Sequence, residues 1–436
     1  MRISAKHLVS AALVVIFFTG MQGGKYILAN RLQELGILFS LIVFSYSAFL
    51  ATLNVKDKDL RWNWWVFCTL AIVGYKFIVP GYVFSQNYGE PMLPSIAASR
   101  EILIVFFGAG IYFLYRLGFE VELIEKLFVG TLVGLIINYL FHYYRMDLPS
   151  ALNSPDHNVS ALVVYDPWRG YRLVPTTVAM FLLAVYAPMR IFERRSTKDV
   201  LIWLVIIAMA IHALLLFKGR AASAVIIMSS LMYVFFFLRK RYIGLFFLSL
   251  PVIIAGFSFI VISMPGHLAE GDAGEQVRLE SMKTAVKAIG DYPFLGYGQS
   301  SNYSRTEQDI FGPYFFSSDI GVLGTTAKYG LIGIAIYLFF SFFVIQRSVR
   351  TVWMYQKTYG KTQKLLIAIC ILHLSMLMNI ILNPKLVFVD GMTLTAFLIG
   401  YTGALRHKIR KDQLNRQINS PSPQASAVKP AANHPL

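Results

Sequence analysis

The sequence predicts an all-α, polytopic membrane bundle of about twelve spans with a helical loop on the non-cytoplasmic side, and three observations point there. Of its 436 residues, 56% are hydrophobic and only 14% charged, more apolar surface than a soluble domain of this length can bury. Apolar runs of spanning or near-spanning length recur along the whole chain. The cations collect in short segments between those runs, on alternate sides, as the positive-inside rule requires.

Taken in order, the apolar runs fall at 8–22, 35–53, 64–84, 102–116, 123–144 and 171–190, then at 200–217, 221–238, 242–263, 318–346, 363–382 and 390–405. The first, preceded by Arg2 and Lys6, imitates a secretory signal but lacks a small-x-small cleavage site, so it reads as a retained span. With the N-terminus in the cytoplasm, the inside segments receive Lys56, Lys58 and Arg61, the Arg190–Lys198 group, Arg239–Arg241 and the cations from Arg347 to Lys364. Both termini are then cytoplasmic. The organisation that follows is nine spans over 1–263, a large periplasmic loop over 264–317, three spans over 318–405 and a disordered cytoplasmic tail over 406–436.

Composition also excludes function classes. The formal charge of +17 is spread over inter-helix segments rather than gathered in one patch, so it orients the chain in a membrane and does not signal nucleic acid. The two cysteines, Cys68 and Cys370, sit inside apolar runs and offer neither a disulfide framework nor a zinc pattern. No Walker or GxGxxG context is present, and no internal repeat or broken span of the kind transporters carry in both halves.

The informative residues are cations on the wrong side. Lys218-Gly-Arg220 lies at the outer junction of the seventh and eighth spans, where burying two positive charges costs several kcal/mol without a partner. Arg220 begins a helix, where free N–H groups favour an anion; snorkelling to lipid headgroups is the competing reading. In the large loop, Leu279, Met282, Val286 and Ile289 recur at helical spacing over Glu275–Ile289, which predicts an amphipathic helix. Its Arg278 either points to the membrane mouth or pairs with Glu275 three residues earlier. Asp319 opens the tenth span and serves as a general base, caps the helix, or pairs with Lys328 or Arg278. The glycines at 321, 324, 330 and 333 read as helix-packing contacts. His212 and His373 read as packing residues within spans, and Lys76 faces a cavity or snorkels outward.

On these residues the chain resembles the bacterial superfamily of O-antigen ligases and O-antigen polymerases, membrane glycan transferases. Lys218-Gly-Arg220-Ala-Ala resembles the family's Ser-Arg-small-Ala segment between two spans. Arg278 with Met282 and Ala285 resembles its outer-loop arginine helix, Pro293-Phe-Leu-Gly-Tyr-Gly298 its Pro-x-x-Gly-x-Gly turn, and Arg169-Gly170 with Pro175 an arginine-bearing stretch before the sixth span. The resemblance implies glycosyl transfer on the periplasmic face of the inner membrane from an undecaprenyl-pyrophosphate-linked oligosaccharide, without metal or cofactor. Arg220 and Arg278, with Lys218 and Arg169, would bind the diphosphate. It also implies membrane lipids, a chain-length regulator and a flippase as partners. Ligases carry a His-Asn-type pair where this chain has Asp319-Ile-Gly321, a pattern more like the polymerase branch. Joining of repeat units is therefore the expectation, with Asp319 as the base. Ligation to lipid A-core and transport without covalent chemistry are the alternatives. In this reading the Arg278 helix and Asp319, set against Arg220, form a lid over a lipid-diphosphate site.

Overall fold

A computed structural model describes residues 5–28, 31–53, 64–166, 170–191, 196–217, 273–301, 306–378 and 388–419. The main helices are α1 (Ala5–Gly20), α2 (Arg31–Leu53), α3 (Trp64–Tyr88), α4 (Phe106–Arg116), α5 (Val121–Arg145), α6 (Thr177–Ile191) and α7 (Thr197–Phe217). They continue with α8 (Ala273–Asp291), α9 (Gly321–Tyr359), α10 (Lys364–Met378) and α11 (Val389–Asn419). The only sheet among the described residues is the hairpin of β1 (Val163–Asp166) and β2 (Gly170–Leu173), antiparallel with Val164 opposite Arg172.

Helices α2, α5, α7 and α9 are long and apolar enough to cross a membrane, and α1, α6 and α10 are shorter apolar helices. The chain is a membrane protein with transmembrane helices; among the described residues four helices have full spanning length, so the count of about twelve is not reached there. The runs at 221–238 and 242–263 lie outside the described residues. Two others shorten for local reasons. The fourth run begins as a tighter 3-10 turn over Arg100–Val105, which leaves only α4 as α-helix. The sixth opens as strand β2 and becomes helical only at Thr177, after Pro175, which biases the residue before it to extended backbone.

The chain end departs from expectation in the other direction. Residues 406–419, read as the start of a disordered tail, continue α11. The extension is held sideways: Lys408 pairs with Glu122, Tyr359 donates to Asp412 at 2.5 Å, and Arg416 donates to the Thr358 carbonyl at 3.0 Å. Polar composition alone misjudged a segment whose polar groups find partners on α5 and α9.

The core forms where α1, α4, α5 and α11 converge. Phe128 and Phe397 stack with ring centroids 3.7 Å apart, and Phe17 meets Phe397 edge-on at 5.5 Å. Helices α4 and α11 come unusually close because glycines face each other's backbone. A Cβ on Gly108 would lie 2.3 Å from the Ala396 carbonyl oxygen, and one on Gly400 would lie 2.2 Å from that of Gly108. Without a strong hydrophobic drive between helices in lipid, such close approach is what packing can use.

Candidate functional site: a chamber beside a broken helix

Helix α9 is broken at Gly330, whose φ of 69° and ψ of 178° are not helical. A break inside an apolar helix exposes backbone groups that must find partners, because bare N–H and C=O groups in lipid cost several kcal/mol each, roughly. Here five of them find partners outside the helix. The Ala327 and Lys328 carbonyls accept from the N–H groups of Tyr297 (2.9 Å) and Gly298 (3.0 Å), and the Tyr329 carbonyl accepts from the Tyr75 hydroxyl (3.4 Å). Past the break, the Leu331 and Ile332 N–H groups donate to the carbonyls of Pro293 (2.9 Å) and Phe294 (3.1 Å). Gln299 extends the attachment to α3, donating its N–H to the Pro80 carbonyl at 3.0 Å.

The Pro293–Gly298 turn is therefore stitched into the gap in α9. Its glycines are required by contact and by backbone angle: a Cβ on Gly296 would lie 2.4 Å from the Lys328 carbonyl oxygen, at φ +71°. The expectation of unbroken spans is corrected at this point, and Gly330 is a hinge in the backbone rather than a helix-packing contact.

The loop preceding α9 is anchored by charge. After a capping box in which Thr306 and Asp309 satisfy one another, Glu307 points inward. Its carboxylate accepts from the Lys328 ammonium at 2.7 Å and from the Ser317 hydroxyl at 2.7 Å. Burial works against ionisation of Glu307, but the Lys328 charge and these hydrogen bonds outweigh it and hold the carboxyl below its ordinary value. Of the alternatives for Asp319, pairing with Lys328 is thus ruled out: Lys328 belongs to Glu307.

Helix α8 occupies 273–291, close to the predicted 275–289, but its buried face differs from the predicted stripe. Ser281, Ala285 and Ala288 are buried, with Met282 and Ile289 packed beside them, whereas Leu279 and Val286 are exposed at 48% and 57%. Small residues win because α8 lies directly against α9 and the Ser317–Asp319 turn. The Ser281 hydroxyl donates to the Tyr314 carbonyl and accepts from the Phe316 N–H at 3.2 Å. Arg278 extends one turn before Ser281 and is exposed.

Asp319 is exposed at the end of the Ser317–Asp319 turn, its carboxylate accepting from the Ser318 hydroxyl at 3.1 Å. It does not cap α9, whose N-cap is Ile320 without a side-chain hydrogen bond. Among the described residues neither Arg278 nor Asp319 makes an ion pair. The structure thus brings the elements carrying Arg278 and Asp319 together. Lys218, Arg220 and Arg169 lie outside the described residues.

Behind the Ser317–Asp319 turn lies a chamber of about 250 Å³ between α3, α9, α11 and the Arg100–Val105 turn. Lys76, Glu101, Gln299, Ser318, Lys328 and Tyr329 contribute to its wall. The Lys76 ammonium sits 3.3 Å from the Met392 sulfur and 5.7 Å from the Tyr329 ring centre. The cavity reading of Lys76 is therefore the one the structure supports. A smaller, more apolar cleft of about 50 Å³ shares Lys76, Thr325 and Tyr329 with the chamber and runs between α3 and α9 past Ile72, Ile336 and Phe340.

The two histidines sit in helices as expected. His212 stacks on Tyr144 and shares a hydrogen bond with its hydroxyl, and His373 is buried beside Thr395. Arg172 is buried on β2. Sequence reasoning missed Glu307 and Glu101 altogether. The one available signal was the Thr306–Asp309 capping box, which marks where the Glu307 helix starts.

Residues 204–338 match the family model described as O-antigen ligase. No curated protein sequence matches the chain. The matched stretch takes in α7 from residue 204, α8, the Pro293–Gly298 turn, Glu307 and α9 as far as Leu338, so it spans the loop side of the chamber and both halves of the break.

Proposed function

We propose, starting from the O-antigen ligase family segment carried by residues 204–338, that this chain is a polysaccharide repeat-unit polymerase. Members of this family are glycosyltransferase-like membrane enzymes. The proposed substrates are undecaprenyl-pyrophosphate-linked oligosaccharides, joined at the periplasmic face of the inner membrane in a bundle of about twelve spans with both termini cytoplasmic. The observation that carries the reading is a polar chamber bordered by an apolar cleft between α3 and α9, with Lys76, Thr325 and Tyr329 common to both walls. A site of that character suits an amphiphilic substrate, with a sugar of its polar head in the chamber.

In the proposed reaction the acceptor hydroxyl attacks the anomeric carbon of the donor sugar. A new C–O bond forms there as the bond to the pyrophosphate oxygen breaks. The hydroxyl proton passes to the Asp319 carboxylate, and undecaprenyl pyrophosphate leaves with the bonding electrons. Arg278, with Arg220, Lys218 and Arg169, stabilises the negative charge that grows on the leaving diphosphate. Exposure of Arg278 and Asp319 on adjoining elements supports these roles, since both must meet substrate rather than satisfy each other. Neither metal nor cofactor enters this scheme. The acceptor is a second lipid-linked repeat unit. The family description favours one competing reading, ligation to lipid A-core.

The test is an assay of the purified protein with a lipid-linked repeat unit and, separately, lipid A-core acceptor. Wild type is expected to lengthen lipid-linked chains. Arg278→Ala and Asp319→Asn are each expected to lower the rate by about 100-fold or more while the protein remains inserted. Transfer to lipid A-core instead identifies a ligase, and unchanged substrate removes the transferase reading. Full activity of Asp319→Asn returns that residue to a surface role.

A further inference from the structure

The chamber's charges balance in number, and that decides which part of a glycolipid it accepts. Two ammonium groups reach it, from Lys76 and Lys328. Lys328 is matched by Glu307 at 2.7 Å, and Lys76 lies in the field of Glu101, on the chamber wall. A diphosphate entering this space would shed its water and meet no net positive charge in return, an unfavourable exchange. Sugar hydroxyls have the opposite need, because each is both donor and acceptor.

The wall offers both polarities: ammonium groups and the Gln299 amide as donors, the Glu101 carboxylate and Gln299 carbonyl as acceptors, and the hydroxyls of Ser99, Ser318 and Thr325 as either. Tyr329 adds an aromatic face that suits the C–H side of a sugar ring. Size limits the occupant as well. At about 250 Å³ the chamber holds roughly eight waters' worth of space, the bulk of one sugar ring.

We propose that the chamber is a subsite for a single uncharged sugar ring, with Lys76, Glu101 and Gln299 determining which sugar is accepted, and that the diphosphate binds outside it. This rests on the glycan-transfer reading and deepens it by separating a sugar subsite from the arginine-borne diphosphate site. Ser318, the neighbour of Asp319, forms part of the chamber wall, so a ring held here lies next to the proposed base.

Saturation-transfer NMR on the full-length protein in nanodiscs tests this directly. The probes are the methyl glycosides of glucose, galactose and N-acetylglucosamine, with inorganic diphosphate as competitor. Wild type is expected to bind at least one glycoside, and millimolar diphosphate is expected not to displace it. Gln299→Ala and the charge-balanced pair Lys76→Met with Glu101→Gln are each expected to weaken that binding about tenfold or more. Gln299 is half-buried and lies outside the helices, which makes its variant the safer of the two for folding, and thermal melts identify any variant that has lost its fold. Absence of glycoside binding by wild type, equal binding by the folded variants, or competitive displacement by diphosphate each overturns the proposal. Binding is read here without turnover. A sugar-binding protein that catalyses nothing would pass this test and fail the elongation assay, so the two readings fail separately.

Discussion

Replacing Lys328 with methionine is expected to release the loop from α9. The substitution keeps the length and apolar stem of the side chain but removes the ammonium group 2.7 Å from Glu307. Glu307 and Lys328 side chains are only 14% and 16% exposed, so the orphaned carboxylate has little water to turn to. Removing one partner from such a pair costs about 3–5 kcal/mol, because the remaining charge stays buried. The readout is hydrogen exchange of the amides of residues 297–301 and 306–316, which should lose protection in the variant. Adding Glu307→Gln to Lys328→Met should restore most of it, since an amide can keep the Ser317 hydrogen bond without a stranded charge. Unchanged protection in the single variant would show that the backbone stitching alone holds the loop.

The same pair sets a pH dependence of definite sign. The Glu307 carboxyl is held below its ordinary value of 4.5, so ionised Glu307 favours the docked loop. That contribution is fully present above the ordinary value and is lost as pH falls through the lowered one. Loop protection in wild type should therefore be flat from neutrality down to about pH 5 and fall only in more acidic solution. The Glu307→Gln variant should show no such fall.

Much of this arrangement was legible in the sequence where the signal is local. Helix α5 occupies 121–145 against an expected 123–144, and α8 occupies 273–291 against 275–289. Both show sustained helical spacing with charged residues at their ends. The Pro293–Gly298 turn was also legible, since proline and two glycines leave few other conformations. What could not be read was which distant groups these elements meet. Glu307 and Lys328 are 21 residues apart, on different sides of a turn whose geometry depends on the break at Gly330. The α8 stripe was misplaced for a related reason. Periodicity ranks Leu279 and Val286 as core, but α9 lies so near that only Ser281, Ala285 and Ala288 fit between them. Glu101 sits beside Lys76 only because a 3-10 turn replaces the first turn of an expected span, and no spacing rule connects the two.

Gly330→Ala is expected to be among the most damaging single methyl groups that can be added to the described chain. At φ 69° and ψ 178° the backbone occupies a region essentially reserved for glycine, and holding alanine there costs about 1–3 kcal/mol. The new Cβ would also sit 2.1 Å from the Phe294 carbonyl oxygen, a rigid backbone atom that accepts the Ile332 N–H. Relieving that clash costs roughly another 1–3 kcal/mol, or else the turn detaches. Detachment would leave the Ala327 and Lys328 carbonyls and the Leu331 and Ile332 N–H groups without partners together, so the damage is cooperative. If α9 instead straightens, Lys328 and Tyr329 rotate away from the chamber wall, and glycoside binding and chain elongation should both fall below detection. The control is Gly134→Ala on α5, where an added Cβ meets nothing within 4 Å and the backbone is helical. That variant should retain activity and gain about 0.5–1 kcal/mol of helix stability. A Gly330→Ala protein that elongates chains like wild type would mean that the break in α9 is not needed to shape the site.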